Sequence, residues 1–284
     1  MSVTLTVALG DQHYRVERPF FANPGPGVIS DVAVDGEGNL HVLVRNDSLV
    51  SPGEVALTSL TPEGDVLANW GEGDIVDAHM LCASLDGRLL VVDRDAHEVV
   101  IFRDRVRVGG IGRRNRPMHP FNHPTGVAVA PDGTIYVSDG YANHRVHRFS
   151  VEGELIGSWG ELGSEPGQFM NPHAVWVQPD GTVIVVDREN DRLQVFTAEG
   201  KLLDIWQGFV KPLDLWGDAD GRLYVADFVP SLTLLSPAGE RLGRCRPVLN
   251  AAHGISGDRN GNLYLAEPSP SRVTRLVPIP SPQD

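Results

Sequence analysis

The chain has 284 residues, 41% of them hydrophobic, which is enough for one large core or two ordinary ones. Glycine (31) and proline (21) are abundant without low-complexity runs, as expected of many tight turns. A formal charge of -13 disfavours nucleic acid and anionic membrane as partners, and no stretch approaches the ~18 apolar residues that crossing a bilayer needs.

The opening residues, Met1 to Leu9, lack a basic region and a long apolar run, so no signal peptide is expected and the expected location is cytoplasmic. The first strand candidate is His13-Tyr-Arg-Val-Glu17. Beyond it the chain repeats one unit six times: an alternating apolar run, a turn ending in glycine, a second apolar run, a short loop and two further strands. The turn glycines are Gly38, Gly87, Gly133, Gly181, Gly221 and Gly261, spaced by 49, 46, 48, 40 and 40 residues. They read as two-residue hairpin turns, whose twist suits the strands they join.

The third unit shows the pattern whole. Pro124 to Gly133 gives the first strand and turn, Thr134 to Asp139 the second strand, Arg145 to Phe149 the third and Glu154 to Trp159 the fourth. The fourth unit repeats it with Pro172 to Gly181, Thr182 to Asp187 and Arg192 to Phe196. Four short strands at this period predict an all-β, six-bladed propeller of four-stranded antiparallel blades. The sixth unit ends at Arg272-Val-Thr-Arg-Leu276 followed by proline-rich sequence, one strand short. The N-terminal strand is expected to complete it, closing the ring over residues 1–284 as a single domain and removing an open sheet edge.

Aligning the units exposes the chemistry. His79, His173 and His253 each stand eight residues before the turn glycine of units two, four and six. In a closed ring, alternate blades aim three imidazoles at one axis, which is the arrangement of a metal site. Units one, three and five hold Ser30, Thr125 and Leu213 in that column. The residues following the second strand form another column at the same mouth of the channel: Arg45, Arg94, Gly140, Arg188, Phe228 and Pro268, with Tyr141 one further on. Arginine there has a plain alternative role, pairing with nearby carboxylates. Asp93, Asp139, Asp187 and Asp227, which close the second strands, read as structural acceptors of backbone N–H groups in the turn.

Other features read as ordinary. Cys82 and Cys245 are expected to be separate thiols. Arg103, Arg105, Arg107, Arg113, Arg114 and Arg116 read as a solvated hairpin and loop, and His119 and His123 as loop residues. Gly109-Gly-Ile-Gly112 lies between no strand and helix, so it is no phosphate loop.

The units resemble NHL repeats, with Asp139-Gly-Tyr-Ala-Asn-His-Arg-Val-His-Arg-Phe149 close to that signature. Within that class, residues from about 28 to 276 resemble the peptidyl-α-hydroxyglycine α-amidating lyases (peptidylamidoglycolate lyases). The matching stretches are Val42-Leu-Val-Arg-Asn-Asp47, Ser138-Asp-Gly-Tyr-Ala-Asn-His-Arg145, Pro166-Gly-Gln-Phe-Met-Asn-Pro-His173 and Val186-Asp-Arg-Glu-Asn190. The resemblance implies a zinc-dependent lyase that cleaves the C–N bond of an α-hydroxyglycine to give an amide and glyoxylate. It implies His79, His173 and His253 as zinc ligands, another divalent transition metal being an alternative, with Arg45, Tyr141 and Arg188 as catalytic residues. That family places a calcium-binding Asp after its third histidine; Gly254 stands here, which argues against the calcium.

A peptide or small molecule bearing a carboxylate is the expected partner, and a monomer the expected state. Two other functions stay open: a metal-dependent lactone, ester or amide hydrolase, and a non-catalytic scaffold. Known lactone-hydrolysing propellers hold calcium through oxygen ligands, whereas an all-histidine shell favours a softer ion.

Overall fold

A computed structural model describes residues 5–46 and 54–281. Six sheets radiate about a central channel, each an antiparallel meander from an innermost to an outermost strand. The innermost strands are Val28–Val34, Ala78–Ala83, Gly126–Val129, Pro172–Val177, Pro212–Gly217 and Gly254–Gly257. The second strands end at Arg45, Asp93, Asp139, Asp187, Asp227 and Glu267. The fold is the expected six-bladed propeller, and no helix among the described residues is long and apolar enough to cross a membrane.

Alternation explains the packing. The two inner strands of each blade are covered on both faces by neighbouring blades, so they read as nearly unbroken apolar runs such as Val183–Asp187. The outermost strands alternate exposed and half-buried residues, as in Leu155–Trp159. Apolar clusters fill the wedges between blades; Leu90, Val92, Val99, Phe121, Val127, Ile135 and Phe149 fill the one between the second and third.

Closure follows the expected route. Gln12–Ala22 pairs antiparallel with Arg272–Ile279, setting His13 opposite Ile279 and Glu17 opposite Arg275. Thr6–Leu9 then adds a fifth strand to that sheet, which the sequence reading does not foresee.

The turns differ from the two-residue form expected. Gly38 N–H donates to Asp35 O (3.1 Å) while Asp35 N–H donates to Asn39 O (3.0 Å), leaving three residues between the closing pair. Equivalent bonds recur at Ser84, Ala130, Gln178, Asp218 and Asp258. Such a loop needs one left-handed residue at its end. All six turn glycines provide it, with φ between 77° and 89°.

Candidate metal centre at the channel mouth

Asp93, Asp139 and Asp187 fix the chain leading into their own blades rather than their turns, correcting the expected site of those bonds, while Asp227 takes Ser231 and Arg244. Asp93 accepts N–H bonds from Val76 and Asp77, both at 2.9 Å. Asp187 accepts the Met170 N–H at 3.0 Å, and Asp139 takes Asn122 at 2.9 and 3.0 Å. Two of these anchors lie two or three residues before His79 and His173, so they set where the inner strands carrying those histidines begin.

The three histidines meet on the axis. Their ring centroids form a nearly equilateral triangle with sides of 5.0, 5.0 and 5.1 Å. One nitrogen from each lies within 4.8 Å of the other two. His79 and His173 are buried, at 0% and 1% exposure.

What orients the rings is backbone from the intervening blades. His79 Nδ1 lies 2.7 Å from Thr125 O, His173 Nδ1 2.6 Å from Leu213 O, and His253 Nδ1 2.8 Å from Ser30 O. A carbonyl only accepts, so each Nδ1 must carry the proton and each Nε2 keeps its lone pair. Ser30, Thr125 and Leu213 are the residues of the histidine column in the blades that lack histidine. The column therefore works in pairs: one blade offers an imidazole and the next the carbonyl that fixes its tautomer, the outer-shell contact of a metal-binding histidine.

Electrostatics keep the rings neutral. Burial, then the neighbouring histidines, hold His79 and His173 well below the ordinary histidine range. Burial pushes His253 down to about 4 against its bond to Ser30, with Arg45 and Arg188 adding to the effect. Three neutral nitrogen donors on one axis fit a zinc-like ion. No calcium carboxylate exists at Gly254. The Asp31 carboxylate fills that space, 1.9 Å from where a Cβ at Gly254 would stand, and accepts N–H bonds from Val32 and Leu81, each at 2.8 Å.

Tyr141 lies over the triangle, its hydroxyl 3.0 Å from His79 Nε2 and 3.4 Å from His173 Nε2. Arg94 rests 5.4 Å from the centre of its ring. Arg45 grips Asp77 through Nε (2.5 Å) and a terminal nitrogen (3.1 Å), and Arg94 binds the same carboxylate at 2.7 Å. Arg188 pairs with Glu189 at 3.1 Å, and its buried Nε has no partner. The structure thus brings all six predicted site residues to one mouth.

Asp77 was missed, although it stands two residues before His79, where the fourth blade holds Asn171. Arg94 was seen in its column without its contact to Tyr141. His123 meets His97 edge to face at 4.5 Å and His119 is exposed, both apart from the triangle. The arginine run lies on the outer hairpin of the second blade, with Arg107 and Arg114 tied to Glu98. Cys82 and Cys245 are free, and burial raises their thiols to about 11 and about 12. Asp47, which closes the first matching stretch, lies outside the described residues.

The sequence model of the NHL repeat matches residues 121–149. The peptidyl-glycine alpha-amidating monooxygenase of Mus musculus is 32% identical over 89% of this chain and 30% of its own length. A probable peptidyl-alpha-hydroxyglycine alpha-amidating lyase of Caenorhabditis elegans is 32% identical over 49% of this chain and 42% of its own. The chain is an NHL-repeat propeller that resembles the peptidyl-α-hydroxyglycine α-amidating lyases. It spans about a third of the monooxygenases it matches.

NHL repeat-containing protein 3 of Homo sapiens is also 32% identical, over 63% of this chain and 58% of its own length. Among solved structures, a streptogramin B lyase superposes with a TM-score of 0.69 at 14% identity, covering 94% of this chain and 98% of that one. A putative gluconolactonase gives 0.70 at 15% identity over 93% and 92%. At such identities these two show the shared fold alone.

Proposed function

We propose that this protein is a metal-dependent carbon–nitrogen lyase, splitting an N-acyl or peptidyl α-hydroxyglycine-like substrate into an amide and glyoxylate. One observation carries the reading: three Nε2 lone pairs, each freed by a carbonyl bond at Nδ1, with a tyrosine hydroxyl laid across two of them. The relatives named amidating lyase or amidating monooxygenase support it.

His79, His173 and His253 would hold the ion through Nε2. Bound there, zinc supplies a Lewis acid that lowers the pKa of a hydroxyl it holds. Tyr141 is the side chain placed to move a proton at this point. Its oxygen accepts the proton of the substrate hydroxyl as its own phenolic proton passes to the leaving nitrogen. The pair left by the O–H bond becomes the second C–O bond of glyoxylate and the C–N pair stays on nitrogen, so atoms and charge balance.

The arginines divide the remaining work. Arg45 and Arg94 share Asp77, which is buried, so their forks are engaged within the protein. Arg45 acts through its field, which reaches all three histidines and opposes negative charge growing on oxygen. Among the described residues Arg188 is tied to Glu189 through one terminal nitrogen only, and it is the arginine suited to grip the substrate carboxylate. The test is to incubate zinc-loaded protein with N-acyl-α-hydroxyglycines and measure glyoxylate. Turnover is expected, and no release from any acyl variant overturns the reading.

A further inference from the structure

The mouth is not uniform around its rim. In the column after the second strand, the first, second and fourth blades present Arg45, Arg94 and Arg188, while the third presents Tyr141 one position on. The fifth and sixth blades break the pattern with Phe228 and Pro268, so that sector offers no ionic group from this column. Phe228 is 55% exposed although large and apolar, and Val229 and Val210 beside it are 46% and 43% exposed. The three form one patch, because Phe228 N–H donates to Lys211 O at 3.0 Å, bringing the strand end against the segment carrying Val210.

The patch adjoins the proposed carboxylate anchor. Arg188 binds Glu189, and Glu189 binds Lys211 Nζ at 2.8 Å, so one chain of contacts runs from Arg188 to the backbone that Phe228 meets. Lys211 holds its ammonium on Glu189, so the patch itself is made of Phe228, Val229 and Val210 with that ion pair at its edge.

We infer that Phe228, Val229 and Val210 form a lip that receives the apolar acyl group of a substrate whose carboxylate is held at Arg188. This rests on the lyase reading and narrows its substrate class to apolar N-acyl compounds, alkanoyl or arylacyl, over polar peptides. A molecule with a carboxylate at one end and a hydrocarbon at the other matches a guanidinium beside an exposed apolar patch. Polar peptide groups would gain nothing from these side chains.

The test uses N-acylglycines, which lack the hydroxyl and cannot be cleaved, so binding is read apart from reaction. Calorimetry on the zinc-loaded protein is expected to show about two-fold tighter binding per added methylene from acetyl to octanoyl, the gain for roughly half-burying each group. Phe228→Ala should flatten most of that dependence. Leu85→Ala, at an exposed turn on the opposite face, should retain it. Affinity independent of chain length, absence of binding, tighter binding of a polar dipeptide, or a Phe228→Ala variant with the wild-type slope would each overturn the inference. If chain-length dependence persists while no acyl-hydroxyglycine yields glyoxylate, the lyase reading falls and the acyl lip stands.

Discussion

Replacing Asp214 with asparagine should make the protein more stable at alkaline pH. Asp31 and Asp214 are buried and line a cavity of about 110 Å3 in the channel, with Met80, Cys82 and Trp176 around them. Asp31 accepts N–H bonds from Val32 and Leu81, and Asp214 accepts that of Ile255 at 2.9 Å. Neither group has a lysine or arginine partner among the described residues. Burial, reinforced by the charge of Asp214, holds Asp31 well above the usual carboxylate range. Burial pushes Asp214 up to about 7 against its backbone bonds.

A carboxyl whose native pKa is raised contributes stability that is complete below its unfolded pKa. That contribution is lost as pH rises through the native pKa. The window here runs from about pH 4 to about pH 7. The rise of Asp214 from 3.8 to about 7 corresponds to at most about 4 kcal/mol, at about 1.4 kcal/mol per unit. Asparagine keeps the shape and the acceptor without the charge. Thermal unfolding in a chelator should therefore find Asp214→Asn within about 1 kcal/mol of wild type near pH 5. Near pH 8.5 it should be roughly 5–10 °C more stable, as 2–4 kcal/mol implies for a chain of this size. A variant that tracks wild type at both pH values, or loses stability at pH 8.5, refutes the reasoning.

Two further substitutions probe the mouth. Tyr141→Phe removes the hydroxyl that lies 3.0 Å from His79 Nε2, and should cut glyoxylate release by about 10²-fold or more. Zinc content should be unchanged, which separates a proton-transfer role from a structural one. Gly254→Ala places a methyl 1.9 Å from Asp31 Oδ1 and 2.8 Å from Asp31 Cα. Backbone cannot yield as a flexible side chain does, so urea unfolding should show a loss of about 3 kcal/mol, the upper end for overpacking.

Much of the fold and half of the site were legible because a closed repeat turns columns of sequence into rings of space. The six turn glycines all adopt the left-handed conformation their position demands. His79, His173 and His253 share a column, and a ring leaves them nowhere to point but at each other. Other parts carried no such signal. The carbonyls that orient the imidazoles come from Ser30, Thr125 and Leu213, and a backbone acceptor leaves no mark on residue type. Asp31 and Asp214 occupy the next column in two blades without histidine, yet nothing in that pattern tells that they share a cavity. Thr6–Leu9 is too short and too exposed for its alternation to stand out. The turn type escaped because asparagine or aspartate near glycine suits both two- and three-residue loops, and only the hydrogen bonds separate them.

The account rests on three neutral Nε2 atoms gripping one ion. Mass-spectrometric metal analysis of wild type and His173→Ala, each purified and then equilibrated with zinc, tests it most directly. The account predicts about one zinc per wild-type chain and its loss in a variant that remains folded. A wild type that stays metal-free, or a His173→Ala protein that binds as much as wild type, contradicts it.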